Sequence, residues 1–140
     1  MYKNILVPMA LDHGIGHKGL DIARKLLSEG GTITALHVHE APEGSVRAYI
    51  DEKDVQAAFE KNKARLEDRV RDMPNVRPAT IKGHSGRSII DYATDHDIDC
   101  IVIGSHKPGL RDFLLGSTAA RVTRHAPCAV HVLRTDPQNS

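Results

Sequence analysis

The sequence has no surplus of one charge. Its 140 residues include 19 Lys and Arg against 18 Asp and Glu, a formal net charge of +1 with neutral histidines. A charge so near zero creates no strong field over the whole surface, which argues against a general polyanion binder and gives no reason to expect a nucleic-acid partner. Any bound anion is therefore expected to rely on local hydrogen-bond donors.

Cysteines and long apolar runs are also scarce. The only two cysteines, Cys100 and Cys128, lie in short apolar runs and form no Cys-x-x-Cys pair, which is typical of buried free thiols. No apolar run approaches the ~20 residues that cross a bilayer, and the opening residues 2–7 are strand-like rather than a secretory leader. We expect a cytoplasmic protein that does not insert into membranes.

Short β-branched runs alternate with helical patterns along the whole chain. Runs bounded by Gly, Pro or charged residues predict five strands, at 5–7, 32–38, 76–82, 100–103 and 128–133. Apolar residues at three- and four-residue spacing predict helices over 19–28, 48–73 and 88–96, and a fourth opens after Gly116. The apolar stripe of the longest helix consists of Val55, Phe59, Leu66 and Val70, beneath a charged outer face.

This alternation predicts an open, doubly wound α/β fold. Parallel strands need crossover helices that cover both faces of the sheet, and the continuous apolar run 101–103 fits a buried central strand. Ligands of such folds bind where the strand order reverses, here in the loops after Val7, Val38 and Ile103. We expect a single five-stranded domain over residues 1–134 and a flexible polar tail at 135–140.

Residues 14–19 match the dinucleotide-binding string Gly-x-Gly-x-x-Gly, and Glu40 stands about 20 residues further on. In that fingerprint the first glycine directly follows the strand, whereas residues 9–13 intervene here. The chain also has no room for a separate substrate domain. A flexible loop that leads into a helix is the simpler interpretation, so a nicotinamide- or flavin-dependent enzyme is disfavoured.

A second glycine-rich segment leaves the predicted fourth strand and enters the last helix. Gly104 ends the strand, Pro108 and Gly109 form a turn, and Gly116-Ser117-Thr118 opens the helix. Free N–H groups and small hydroxyls at a helix start suit phosphate oxygens, and Lys107 adds positive charge. Ser and Thr are also ordinary helix N-caps, so these residues leave a phosphate site and a structural turn as equal alternatives.

Several segments together resemble the universal stress protein family. They are Tyr2-Lys3-Asn4-Ile5-Leu6-Val7-Pro8, Leu36-His37-Val38, Val102-Ile103-Gly104-Ser105, Leu114-Leu115-Gly116-Ser117 and Arg124-His125-Ala126-Pro127-Cys128. The resemblance covers essentially the whole chain in the same order. It implies a Rossmann-like fold of the adenine nucleotide alpha hydrolase type, in a cytoplasmic and usually dimeric protein that in many members binds ATP.

The phosphates of ATP in such relatives lie in a loop of the form Gly-x-x-Gly, nine residues, Gly-Ser/Thr. By position Gly104 matches the first glycine and Gly116 the closing one, while Lys107 stands where the second glycine is expected. The segment is also one residue shorter than the pattern and contains Pro108, as in a subgroup of the family. The residues that this resemblance nominates for phosphate binding are Gly104, Lys107, Gly109, Gly116, Ser117 and Thr118.

The resemblance also implies an adenosine cleft at the ends of the first two strands. Pro8 matches a wall of that cleft, and Val38 matches the position whose backbone meets the adenine edge. ATP-binding relatives usually place an Asp two residues after the proline to hold the ribose hydroxyls, whereas this chain has Ala10 there and Asp12 two residues later. One polar contact to the ribose is therefore missing or displaced.

The resulting hypothesis is a stress-response regulator that binds ATP, with or without Mg²⁺, and acts through its conformation or an unknown protein partner. The alternative is a family member without nucleotide that serves as a dimeric interaction module. A third is slow ATP hydrolysis or self-phosphorylation at Ser117 or Thr118. The sequence has no Gly-x-Ser-x-Gly elbow and no Gly-Lys-Ser/Thr ending, so no catalytic residue is assigned.

Nine histidines raise the question of a metal site. His37 and His39 would project from one face of a strand, but no third ligand with suitable spacing accompanies them. Structural or solvent-facing roles are favoured, and no metal site is assigned.

The last predicted strand, 128–133, is expected at one edge of the sheet. An unpaired apolar edge invites pairing with another chain, and two-fold dimers are usual in the family that the chain resembles. We expect a homodimer through this strand, with Val130 and Val132 near the axis.

Overall fold

The computed structural model describes residues 1–11, 16–40, 48–105 and 115–134. Within these residues strands and helices alternate as predicted. In chain order the elements are β1 (Tyr2–Pro8), α1 (Gly16–Leu26), β2 (Leu27–His39), α2 (Glu52–Val70), β3 (Val76–Lys82), α3 (Ser85–Asp95), β4 (Cys100–Gly104), α4 (Ser117–His125) and β5 (Ala129–Leu133). The expected tail at 135–140 lies outside the described residues.

The strands form one parallel sheet in the order β3-β2-β1-β4-β5. The chain builds outward from β1 through β2 to β3, then returns to the other side of β1 for β4 and β5. The strand order therefore reverses between β1 and β4. This topology confirms the prediction of an open, doubly wound five-stranded sheet.

Helices cover both faces of the sheet, and each face has its own apolar core. α1 and α2 lie over the first core, which includes Ile5, Val7, Leu20, Ile33 and Leu66. α3 and α4 lie over the second core, which includes Leu6, Leu36, Ile89, Ile101 and Val122. Neighbouring residues of β1 enter opposite cores because side chains alternate along a strand.

Gly19 determines how closely α1 approaches the sheet. A Cβ atom at this position would lie 3.1 Å from Cγ1 of Val7. That separation is tighter than ordinary side-chain contact, so a larger residue would push α1 away from β1. The glycine spacing seen in the sequence thus serves helix packing at this position.

The boundary between α1 and β2 differs from the prediction. α1 ends at Leu26 and β2 begins at Leu27, although the periodicity predicted a helix to residue 28 and a strand only from residue 32. Leu27 pairs with Tyr2, and the register then shifts in a stretch where Gly30 has a φ of 80°. An apolar pair such as Leu26-Leu27 can be buried from a helix or from a strand, so periodicity alone cannot place the boundary.

Several other boundaries also differ. α2 begins after the predicted residue 48 because Asp51 caps it, accepting a hydrogen bond from the Lys53 amide at 2.9 Å, and it ends at Val70 rather than at residue 73. α3 begins at Ser85 rather than at residue 88, and β5 begins at Ala129 rather than at residue 128. None of these shifts moves an element to another place in the sheet.

The two cysteines are free thiols. Cys100 is buried, and that burial, with smaller contributions from Cys128 and Asp99, raises the pKa of its thiol to about 11. Cys128 is half-buried, less than the sequence pattern suggested. Among the helices that the structure describes, none is long and apolar enough to cross a membrane.

Candidate nucleotide site

The carboxyl ends of β1 and β2 form one wall of the region where the strand order reverses. The Met9 amide continues the pairing beyond β1 by donating a 2.8 Å hydrogen bond to the Leu36 carbonyl. Pro8 and Val38, the two residues nominated for the adenosine half of a ligand, lie at these strand ends and are both half-buried. Each leaves part of its surface accessible beside a fixed backbone.

The connection after β1 is held at three points. Met9 and Leu11 are both buried. Nδ1 of His37 hydrogen-bonds the Met9 carbonyl at 3.0 Å, and Nη2 of Arg65 donates to the Leu11 carbonyl at 3.2 Å. Ala10 is exposed between them. Ala10 therefore places a methyl group on a well-anchored backbone, at the position where the family resemblance implies a carboxylate. Asp12 lies outside the described residues.

The opposite wall joins the end of β4 to the start of α4. Ser105 follows β4, donates its amide to the Leu133 carbonyl at 2.8 Å and accepts a 2.7 Å hydrogen bond from the Gly116 amide. The Gly116 amide is thus bonded to the residue that directly follows Gly104, although a long connection separates the two glycines in the sequence. Lys107 and Gly109, the other two phosphate candidates, lie outside the described residues.

The N-terminus of α4 presents hydrogen-bond donors. Gly116 is its N-cap residue and supplies no side-chain cap, and the first turn contains no acidic residue. The first N–H groups of a helix have no partner within the helix, and its N-terminus has a partial positive charge. Ser117 is exposed and Thr118 is half-buried at this end. This arrangement suits an anionic group with several acceptor oxygens.

Ser105 lies in the candidate site, although the sequence analysis did not nominate it for ligand binding. It is fully buried, and its hydroxyl has no hydrogen-bond partner among the residues that the structure describes. A buried polar group without a partner costs free energy of folding, commonly about 1–3 kcal/mol. The only signal in the sequence was a small polar residue directly after the apolar strand, which is also what an ordinary loop start looks like.

Glu40, the residue considered for a dinucleotide ribose, has another role. Its Oε1 accepts hydrogen bonds from the amide and the hydroxyl of Ser85, at 2.8 and 2.7 Å. It therefore caps α3, whose N-cap residue His84 provides no side-chain hydrogen bond of its own. In addition, α1 begins at Gly16, well after β1 ends at Pro8. Both observations count against the dinucleotide fingerprint.

His37 and His39 project from the same face of β2, and both contact other groups of the protein. Nδ1 of His39 lies 3.1 Å from Nδ2 of Asn62, and its ring meets Phe59 edge-on with 5.8 Å between centroids. His37 contacts the Met9 carbonyl as described above. The described residues contain no group of three or more His, Cys, Asp or Glu that could hold a metal ion.

Burial, followed by the nearby charges of His37 and Lys82, lowers the pKa of His39. The folded protein thus binds the proton less readily than the unfolded chain, whose histidine has an ordinary pKa of about 6.5. The stabilising contribution is complete above that pH and is lost as the pH falls through the lowered pKa. We expect the urea midpoint to decrease from pH 7.5 to pH 5.5, and His39→Gln to reduce this decrease.

The exposed His84 provides the matched control for this prediction. His84→Gln should leave the difference between the two midpoints unchanged. If His39→Gln shows the same pH dependence as the unmodified protein, the His39 environment does not affect stability as described.

Comparison with known proteins agrees with this architecture. Residues 1–134 match the universal stress protein family. Universal stress protein G of Salmonella typhimurium is 32% identical over 143 aligned positions, covering 96% of this chain and 100% of that protein. Among solved structures, universal stress protein UspA from Lactobacillus plantarum has a TM-score of 0.77 at 27% identity, covering 95% of this chain and 98% of its own.

A more distant structure shares the fold. The universal stress protein from Archaeoglobus fulgidus in complex with dAMP has a TM-score of 0.60 at 21% identity, covering 94% of this chain and 97% of its own. Two findings establish family membership: the family pattern matches residues 1–134, and the Salmonella typhimurium protein is 32% identical over its whole length. The chain belongs to the universal stress protein family.

Proposed function

We propose that this chain binds ATP, or a closely related adenine nucleotide, at the carboxyl edge of the sheet between β1 and β4. Pro8 and Val38 contact the adenosine half. The phosphates are held by Gly104, Lys107, Gly109, Gly116, Ser117 and Thr118, with or without Mg²⁺. The protein then acts in the cytoplasm as a stress-response regulator, through its conformation or a protein partner, without turning over a substrate.

The observation that best supports this proposal is the 2.7 Å hydrogen bond from the Gly116 amide to the Ser105 carbonyl. It fixes the N-terminus of α4 beside the end of β4, next to the point where the strand order reverses. A helix start without a side-chain cap or first-turn acid is favourable for phosphate binding. This helix start also lies beside the reversal of strand order, which is where doubly wound folds bind their ligands.

The Archaeoglobus fulgidus relative adds indirect support, because it was solved with an adenine nucleotide, dAMP. Its ligand lacks the ribose 2′-hydroxyl. Ala10 provides no acceptor for ribose hydroxyls in this chain. We therefore infer that the base and the phosphates, rather than the ribose, provide most of the affinity here.

Calorimetry tests the proposal directly. Purified protein is first denatured and assayed for released nucleotide, and nucleotide-free protein is then titrated with ATP, dATP and AMP, with Mg²⁺ and with EDTA. We expect one site per chain, similar affinity for ATP and dATP because Ala10 holds no ribose hydroxyl, and weaker binding of AMP because it makes fewer phosphate contacts. Absence of binding at millimolar ATP would refute nucleotide binding and favour the interaction-module alternative.

We also propose that the protein forms a homodimer through β5. The two edge strands of the sheet are β3 and β5. Pro78 leaves a gap in the row of backbone N–H donors along β3, and Arg77 and Lys82 on the same strand are exposed charges. Both features discourage β3 from pairing with a strand of another chain. β5 contains no proline or charged residue, and its Val130 and Val132 are half-buried. The β5 edge is therefore the better candidate for pairing with a second copy.

A further inference from the structure

A cavity lies toward the amino ends of β1 and β3, away from the nucleotide site proposed at the carboxyl ends of the strands, and we call it the amino-edge cavity. It has a volume of about 290 Å³ and is bounded by Asn4 of β1, Thr34 in the middle of β2, the start of β3 and the C-terminal end of α3. Small-molecule sites in proteins begin at roughly this size, about 300 Å³. None of the residues that line this cavity belongs to the nucleotide proposal.

The walls of this cavity are held in place by hydrogen bonds between distant parts of the chain. Nδ2 of Asn4 donates to the carbonyls of His96 and Asp97, at 2.8 and 3.2 Å. The Asp99 carboxylate accepts the amides of Lys3 and Asn4, at 2.9 and 3.0 Å. The end of α3 is thereby tied to the start of β1, and the cavity is formed before any ligand arrives.

Two opposite charges line the cavity without neutralising each other. Arg77 approaches from β3, and Asp97 follows the end of α3. Neither forms an ion pair with a residue that the structure describes. Asp97 also lies at the negative end of the α3 dipole, which favours a cationic group beside it. The cavity thus offers one place for an anion and another for a cation.

The remaining lining is mixed: Asn4, Thr34 and His96 are polar, and the other three residues offer apolar or aromatic surface. Pro78 and the buried Ile98 contribute aliphatic surface. Tyr92 stacks on His96 with 3.8 Å between ring centroids and 11° between planes, which presents a flat, ordered surface. An apolar side chain would lose water-exposed surface by packing here.

We propose that this amino-edge cavity binds a free α-amino acid with an apolar or aromatic side chain. The Arg77 guanidinium pairs with its carboxylate, and the Asp97 carboxylate pairs with its ammonium group. The side chain packs against Pro78, Ile98 and Tyr92. The two opposite charges match a zwitterion, and Pro78, Ile98 and Tyr92 supply apolar contacts for its side chain. A simple anion or cation would use only one of the charges.

Nuclear magnetic resonance titration of the full chain tests this inference. The probes are L-phenylalanine, 3-phenylpropionate, which lacks the ammonium group, and phenethylamine, which lacks the carboxylate. We expect L-phenylalanine to shift the amide signals of Thr34 and Ile98 saturably, and each single-charge analogue to bind about tenfold more weakly or worse. No shift at millimolar phenylalanine, or equal binding of the three probes, would overturn the proposal.

Two substitutions assign the charges. Arg77→Gln and Asp97→Asn should each weaken phenylalanine binding about tenfold. Asp97 has a φ of 53°, a conformation that Asn tolerates, so this variant should fold. Arg71→Gln, which removes an exposed arginine paired with Asp68 on α2, is the matched control and should bind as the unmodified protein does. If all three variants bound phenylalanine as tightly as the unmodified protein does, this cavity would not be the binding site.

The nucleotide proposal and this one can fail separately. Binding of phenylalanine without binding of ATP would contradict only the nucleotide proposal. Binding of ATP without binding of phenylalanine would contradict only the amino-acid proposal.

Discussion

Gly116→Val is expected to lower ATP affinity by at least about 100-fold, or roughly 2.7 kcal/mol. Gly116 is buried at the point where α4 begins and where its own amide binds the Ser105 carbonyl. A branched side chain there would occupy the space that the phosphate needs to reach the first N–H groups of the helix. Calorimetry with ATP measures the loss, and a thermal melt of the same sample establishes that the variant is folded.

Graded substitutions separate a blocked site from a damaged fold. Gly116 has φ −59° and ψ 154°, which other residues adopt without strain, so neither Ala nor Val is excluded by the backbone. Gly116→Ala should give an intermediate loss. Ser117→Ala removes a hydroxyl but leaves the backbone amide, and should weaken binding about tenfold or less. Unchanged ATP affinity in a folded Gly116→Val protein would place the phosphates elsewhere.

The order and type of the elements could be predicted from the sequence because parallel sheets leave a strong pattern. The run 101–103 is apolar at every position, since β4 lies between two layers of helices, and all three residues are buried. The boundary at Leu26 and Leu27 could not be predicted, because it depends on pairing with Tyr2 across the sheet. That pairing is a tertiary contact which no local pattern encodes.

The candidate site could be predicted in part. The glycines at 104 and 116 were identifiable because close approach to a ligand or to another backbone restricts the residue type. The contacts of Ser105, Glu40 and Arg65 were not, since each joins segments that are distant in the sequence. Glu40 shows the difficulty clearly. A carboxylate at the end of a strand fits a ribose contact, but the start of α3 provides closer donors.

The anchored backbone beside Ala10 bears on how the missing carboxylate affects function. Three hydrogen bonds hold the segment 9–11 through Met9 and Leu11, and none of them involves the side chain at position 10. Under the nucleotide proposal, Ala10 in place of an Asp therefore removes a ligand contact without removing a structural one. In that proposal the cleft keeps its shape and selects less strongly for the sugar.

Val130→Lys is expected to convert the protein from a dimer to a monomer. Val130 lies on the edge strand β5 and is half-buried against the core that it shares with α4. In the proposed dimer two copies of this residue approach the axis, where two lysines would repel each other and lose apolar burial. Light scattering should show the molar mass decreasing from twice 15.3 kDa to 15.3 kDa.

Ile81→Lys provides the matched control, because it separates loss of the interface from loss of core packing. Ile81 is also a half-buried β-branched residue on an edge strand, and it packs against the same core, but it lies on β3. Both substitutions should reduce stability by a similar amount, about 1 kcal/mol. Only Val130→Lys should change the mass. If Ile81→Lys alone produced monomers, pairing would occur through β3, and if neither did, the dimer axis would lie away from both strand edges.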